Sequence, residues 1–335
     1  FMTGSLFLHS DMEVYLEKDA VLHGTYDVKY YEPKIKSRFE GHEMMCYAGL
    51  VNIGTLERDC GFTCSNVRIS GEGTICGGGK TLAQNVIDVE IPDSVTKIGY
   101  KAFRGCDSLT SVTIPDSVID IGDGAFLDCV GLTSVTIGKG VKNIGSEAFK
   151  GCSGLTSITI GNRVTSIGSY AFSNCQQLKS ICLPEEVASV GDCAFRSCTS
   201  LTDVTLHDSI TSMGEEVFDY TAYYNNEANW ENGLLYIGNH LVASKLKSLG
   251  TNLKTLTIRA GTKTIASSVF SETGNIKSIV IPNSVVYIGK YALLDCYGIT
   301  SITFEGTKSE WADVTLGESW SLGVHTNEVI CSDGR

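Results

Sequence analysis

One repeat limits what this chain can fold into. Cys106, Cys129, Cys152, Cys175 and Cys198 are each 23 residues apart. Phe103, Phe126, Phe149, Phe172, Phe195 and Phe218 keep the same step, as do Leu109, Leu132, Leu155, Leu178 and Leu201. So do the glycines at 99, 122, 145, 168, 191 and 214. The shared unit reads L-x-x-[VI]-x-[IL]-x-x-x-[VI]-x-x-I-G-x-x-A-F-x-x-C, with Val190 and Met213 at two of the Ile positions. A fixed period of this length is the signature of a solenoid, in which each unit forms one coil.

The unit dictates its own packing. Leu109, Val112 and Ile114 put apolar groups on one face of a short strand, with Ser111 and Thr113 on the other. Val118, Ile121, Ala125 and Phe126 supply the return side of the coil. One unit buries too little apolar surface to stand alone, so neighbours must stack into a continuous core. The phenylalanines are expected in that core. The cysteines are read the same way, since a free thiol behaves as a small buried hydrophobe. The Gly after each Ile is expected to turn the chain where a side chain would clash.

The array begins near residue 86 and runs regularly to Phe218. Phe218 and Phe270 are then 52 residues apart, two periods plus 6. The expected organisation is an N-terminal part over 1–85, repeats over 86–218, an aromatic-rich hairpin insertion over 219–252, repeats over 253–304 and a C-terminal cap over 305–335.

Composition narrows the partners. A net charge of −12 repels phosphate backbones and anionic lipid, so neither nucleic acid nor a membrane surface is expected. No stretch of 18 or more apolar residues occurs, so no membrane insertion is expected. Residues 1–10 lack a basic region followed by an apolar core, so no signal peptide is visible. The chain opens inside what reads as the middle of a motif, which leaves export open.

The stretch "IPDSVIDIGDGAFLDCVGLTSVTI" (114–137) and its copies resemble the BspA-like leucine-rich repeats of bacterial and protozoan surface proteins. "FEGTKSEWADVTLGESW" (304–320) is similar to the closing segment that follows such arrays. The resemblance covers residues 86–335. It implies an extracellular or cell-surface protein that binds host or matrix proteins.

Residues 1–80 lack the 23-residue beat. "SLFLHSDMEVYLEKDAVLHG" (5–24), "SRFEGHEMMCYAGLVNIG" (37–54) and "NVRISGEGTICGGG" (66–79) resemble the first coils of polygalacturonase-type glycoside hydrolases, which are parallel β-helices. Family members carry Asp after the last Ile, where this chain has Cys76. Their Asn-x-Asp, Asp-Asp, Gly-His-Gly and Arg-x-Lys motifs are all missing here. Glycoside hydrolysis needs two carboxylates held across the sugar bond, so no such activity is expected. The expected fold is therefore a β-rich solenoid: a leucine-rich-repeat array preceded by a few parallel β-helix-like coils acting as an N-terminal cap. A cap is needed because a solenoid end exposes unpaired strand groups.

Other chemistry finds no support. "GGGKT" (77–81) has Thr74 where a phosphate loop needs Gly. Cys60 and Cys64 lack a second ligand pair for zinc, leaving a local disulfide or two ordinary thiols. The six histidines (9, 23, 42, 207, 240 and 325) show no metal spacing, and no Gly-x-Ser-x-Gly elbow occurs. No catalytic residue, cofactor or metal is expected.

Two surfaces are candidates for binding a partner. One is the strand face that carries Ser134, Thr136, Ser157 and Thr159. The other is the interruption, dense in Tyr220, Tyr223, Tyr224, Trp230 and Tyr236, from which Tyr223, Tyr224, Trp230 and Tyr236 are selected. Its second half, "GLLYIGNHLVAS" (233–244), reads as two strands joined at Gly238-Asn239. The leading expectation is a protein-binding surface scaffold. A structural spacer, and a remnant that binds carbohydrate, are the alternatives.

Overall fold

The computed structural model describes residues 88–91, 93, 95–249, 254–326 and 328–334. It also describes strands Phe7–Leu8, Glu13–His23, Cys46–Tyr47, Asn52–Ile53 and Val67–Ile75. Cys60, Cys64 and the run 77–81 lie outside the described residues.

Each coil has three sides, and the repeat's columns sort onto them. Strand Ser111–Ile114 forms the first, with Val112 and Ile114 inward and Ser111 and Thr113 exposed. It pairs in parallel with Ser134–Ile137 one coil on, Ser111 opposite Ser134 and Ile114 opposite Ile137. Two-residue strands such as Asp120–Ile121 and Asn143–Ile144 stack the same way on the second side. The third carries the Ala-Phe pairs. There the Phe126 N–H donates to the Ala148 carbonyl at 2.7 Å, and Phe149 repeats this to Ala171 at 2.7 Å. The backbone is thus hydrogen-bonded between coils on every side, which lets the apolar columns fill the interior.

The six rings from Phe103 to Phe218 form one stack with centroids 5.0–5.4 Å apart and planes within 10° of parallel. The five column cysteines are buried free thiols. Four of them hold a specific bond: the Sγ of Cys129, Cys152, Cys175 and Cys198 donates to the carbonyl of the Phe one coil back, at 2.9–3.3 Å. Cys296 repeats this to Phe270 at 2.9 Å. Strand spacing of about 4.8 Å keeps neighbouring Cβ atoms too far apart for a disulfide, which wants roughly 3.8 Å. Burial pushes the Cys152 and Cys175 thiols well above the ordinary range. All five should react with a thiol reagent in denatured, unreduced protein and stay silent in the native fold. Five bridged sulfurs after denaturation would refute this.

The glycine after each Ile stands where a side chain would clash, as expected, but it does not itself make the turn. A Cβ on Gly145 would lie 2.6 Å from the Gly122 carbonyl carbon, and one on Gly168 would lie 2.5 Å from the Ser146 nitrogen. Neither residue has positive φ. The column is glycine because adjacent coils touch there. The turns are made two residues later in left-handed backbone, where Lys101, Glu147, Tyr170, Cys193 and Glu216 have φ of 51–59°.

Toward the N-terminus, Val67–Ile75 pairs in parallel with the first two sides of the array, Val67 opposite Val89 and Ile75 opposite Ile98. Glu13–His23 stacks on Val67–Ile75, again in parallel.

The interruption divides the core. Leu234–Ile237 and His240–Ser244 are antiparallel and joined at Gly238-Asn239, as the sequence suggests. Trp230–Glu231 adds a third strand through the Asn232-Gly233 turn, where φ is 52° and 82°. All four residues of Leu234–Ile237 are buried. Leu235, Ile237 and Val242 pack into the N-terminal core, while Leu234, Tyr236 and Leu241 pack into the C-terminal one. The hairpin is therefore a wedge between two arrays rather than an excursion on the solenoid wall. His240 locks the joint: it is fully buried, with Nδ1 2.8 Å from Thr264 Oγ1 and Nε2 3.0 Å from the His207 carbonyl.

Candidate partner-binding surface

The first half of the interruption builds an aromatic cluster at the end of the strand face. Thr221 starts it as a helix cap, its hydroxyl donating to the Phe218 carbonyl at 2.7 Å and accepting from the Tyr224 N–H at 3.0 Å. Helix Ala222–Asn225 follows, and the Tyr223 N–H donates to the Leu201 carbonyl at 2.7 Å. That bond sets the helix beside Asp203–Thr205, the last first-side strand of the first array. Asn226 then caps the short turn Glu227–Asn229 by accepting from the Ala228 N–H at 3.1 Å.

Tyr223, Tyr224 and Trp230 are brought together, each half-buried against the N-terminal core. Tyr224 and Trp230 meet edge to face at 5.0 Å, and the indole N–H donates to the Tyr224 carbonyl at 2.7 Å. The Tyr223 hydroxyl donates to the Tyr236 carbonyl at 3.2 Å. Lys245 Nζ lies 4.1 Å from the Trp230 ring and pairs with Glu227 at 2.7 Å. Burial pushes the Tyr224 phenol up to about 12.

Tyr236 does not join them. It is 6% exposed, its hydroxyl accepts from the Arg259 N–H at 3.2 Å, and the Arg259 guanidinium covers its ring at 4.2 Å. The cause is strand alternation in the wedge, which turns this side chain into the C-terminal core. Tyr220 takes its place at the rim, 52% exposed and 6.3 Å from Tyr224. Its left-handed φ of 61° falls on a second recurring turn, in register with Asp128, Asn174 and Ser197 at 61–62°.

On the strand face, Thr136, Ser157 and Thr159 are exposed and Ser134 is half-exposed, in register one coil apart. Their neighbours Thr133 and Thr156 use their hydroxyls internally, each donating to the carbonyl one coil back at 2.9 Å. A shallow open groove of about 450 Å³, lined in part by Asn143, Ser166, Ser189 and Ser212, runs along the second side. Its lining is the ordinary serine and glycine of the repeat, which carries no distinctive signal in the sequence. Its largest polar groups already pair, Asn143 with Asp120 at 2.7 Å and Ser166 with Asn143 at 2.8 Å. Among the described residues, no His, Cys, Asp or Glu group is arranged to hold a metal, and no helix is long and apolar enough to cross a membrane.

The family signature described as a BspA type leucine rich repeat region matches in 6 copies over residues 82–175, 142–250 and 248–318, more than half of the chain. No curated relative matches. The chain is similar to the solved structure of a leucine rich cell surface protein from Faecalibacterium prausnitzii at 26% identity, over 66% of this chain and 86% of that one, TM-score 0.39. It is also similar to a leucine-rich repeat protein from Eubacterium ventriosum at 23% identity, over 68% and 61%, TM-score 0.37. A leucine rich repeat protein from T. pallidum shares 20% identity over 68% and 82%, TM-score 0.36. With the repeat matched along the solenoid, this chain belongs to the BspA-type leucine-rich-repeat family.

Proposed function

We propose that the protein is a non-catalytic scaffold, outside the cell or on its surface, that binds a protein partner. The observation that carries this reading is the cluster of Tyr220, Tyr223, Tyr224 and Trp230, held on a rigid solenoid where the repeat is interrupted. Recognition concentrates on loops fixed by a scaffold, and Tyr and Trp dominate binding hot spots. The Ser134, Thr136, Ser157 and Thr159 face lies beside it as a second contact area. Location at the surface follows from the resemblance to BspA-like surface proteins.

Pull-down against immobilised matrix proteins tests the reading. Trp230→Ala should weaken capture by at least about 1 kcal/mol under conditions where the variant is still fully folded, the ring's packing on the core being read separately from its melting. Unchanged binding would move the contact to the Ser/Thr face.

A carbohydrate ligand is the second reading, favoured by the polygalacturonase-like residues 1–80; a glycan array separates it from the first. Purified protein should release no reducing sugar from polygalacturonate, because the hydrolase motifs are missing. Turnover abolished by a single substitution would overturn this expectation.

A further inference from the structure

The aromatic cluster carries one group that its own chain leaves unanswered. Three ion pairs cancel charges around it: Arg196 with Glu216 at 3.1 Å, Lys245 with Glu227 at 2.7 Å and Arg259 with Glu231 at 2.9 Å. Glu215 accepts from the Ser268 hydroxyl at 2.6 Å. Asp219, one residue before Tyr220, is half-buried, and its carboxyl has no hydrogen bond or ion pair among the described residues. A partly desolvated carboxyl without a donor is costly, and an arriving donor relieves that cost.

The adjoining rings already show which donor suits them. Arg196 lies over the Tyr220 ring at 5.2 Å and Lys245 lies 5.6 Å from the Tyr224 ring, so the chain's own cations occupy these aromatics. Tyr220 still leaves 52% of its surface to solvent. The chain as a whole carries −12, which draws a basic partner toward the surface before contact.

We propose that Asp219, Tyr220 and Tyr224 form a receptor for a lysine or arginine side chain on a basic segment of a partner protein. This rests on the binding-scaffold reading and names the chemistry of its partner. The cation lies against the exposed part of the Tyr220 ring and pairs with the Asp219 carboxylate.

The site has a built-in pH dependence. Burial raises the Asp219 carboxyl to about 6, Glu216 adds to the rise, and Arg196 opposes it. Tyr220, Tyr224 and Glu227, with Lys245 over the Tyr224 and Trp230 rings, are the nearest other ionisable groups, and Glu215, Glu231 and Arg259 lie beyond them in their own pairs. Below about pH 6 the carboxyl is neutral and offers a cation little; above it the carboxylate is present and unpaired. Because the folded pKa is raised, the stability linked to this group is present at low pH and lost as pH rises through about 6. Asp219→Asn removes that loss, so the variant should melt no lower than wild type at pH 7.5.

Fluorescent octa-arginine titrated with the full chain by anisotropy, at low salt, tests the proposal. Wild type should bind at pH 7.5 and more weakly at pH 5. Asp219→Asn should weaken binding at pH 7.5 about tenfold, while Glu185→Gln, which removes an exposed charge elsewhere, should change it less than about twofold. Equal losses in the two variants would mean diffuse attraction and overturn the proposal, as would octa-arginine binding no tighter than octa-serine. Matrix-protein capture that responds to Trp230→Ala but not to Asp219→Asn would also overturn it while leaving the scaffold reading in place. Capture that responds to neither would overturn it and move the scaffold's contact to the Ser/Thr face.

Discussion

Phe149→Ala should lower the unfolding free energy by about 3–5 kcal/mol, the range for a large buried ring left as a cavity. Phe149 has no exposed surface and sits between Phe126 and Phe172 at 5.1 and 5.3 Å. Neither neighbour can collapse into the gap, because each is held by its own interactions: the Phe126 N–H on Ala148, the Phe172 N–H on Ala194 at 2.8 Å. Urea unfolding at equilibrium checks the value, read from the midpoint with the slope unchanged. Coils support only their neighbours, so amide exchange should rise in the coils on both sides of residue 149. Ser157→Ala, on the exposed strand face, is the control and should stay within about 0.5 kcal/mol. A loss below about 1 kcal/mol in Phe149→Ala would mean the column is not core.

The repeat columns were legible because each answers to one periodic demand, burial at a fixed place in a coil. Phe103 through Phe218, Leu109 through Leu201, and Val118, Val141, Val164 and Val187 all land where that demand puts them. The cysteines show where burial alone falls short of an explanation. Alanine would also be small and apolar, but it has no donor for the Phe carbonyl one coil back, which Cys152 reaches at 3.2 Å. No local pattern announces a bond between residues 26 positions apart.

Backbone conformation was harder to read. Glycine marks most left-handed positions in proteins, yet here that turn is glycine at Gly124 and is otherwise made by Lys101, Glu147, Tyr170, Cys193 and Glu216. The invariant glycines stand two residues earlier, where a Cβ would meet the next coil's backbone. Side-chain identity therefore misplaces the turn, because inter-coil spacing and φ compete for the same few residues.

The candidate surface was half legible. Aromatic density marked Tyr223, Tyr224 and Trp230 correctly as a cluster, since helix Ala222–Asn225 and the strand after it are short and local. Tyr236 went wrong because its fate depends on two arrays closing over one strand, a contact that no nearby residue encodes. Asp219 carried no signal at all in the sequence. Its half-buried state, with Arg196 and Tyr224 near enough to feel its charge, depends on residues brought together only by the fold.

Leu235→Ala should cost about 2–5 kcal/mol, and it should do more than lower stability: it should uncouple the two arrays. Leu235 has no exposed surface and faces the N-terminal core, with Ile237 and Val242 beside it. The opposite face of the same hairpin, Leu234, Tyr236 and Leu241, belongs to the C-terminal core. Across the joint the two arrays share His240, Asn239 on Asp208 at 2.9 Å, and the Ser267 N–H on the Met213 carbonyl at 3.2 Å. In a linear array, stability is the sum of unit and neighbour terms, so weakening one interface leaves each side to its own resources. The C-terminal side is the shorter, with strands Thr255–Thr257, Ser278–Ile281 and Ser301–Phe304 on its first side. It should therefore open first. Native-state amide exchange in Leu235→Ala should speed up across residues 255–304 while residues 111–205 keep their protection, and urea unfolding should broaden into two steps. One cooperative transition with uniform loss would show that the hairpin rides on a single array, and the wedge assignment would fall.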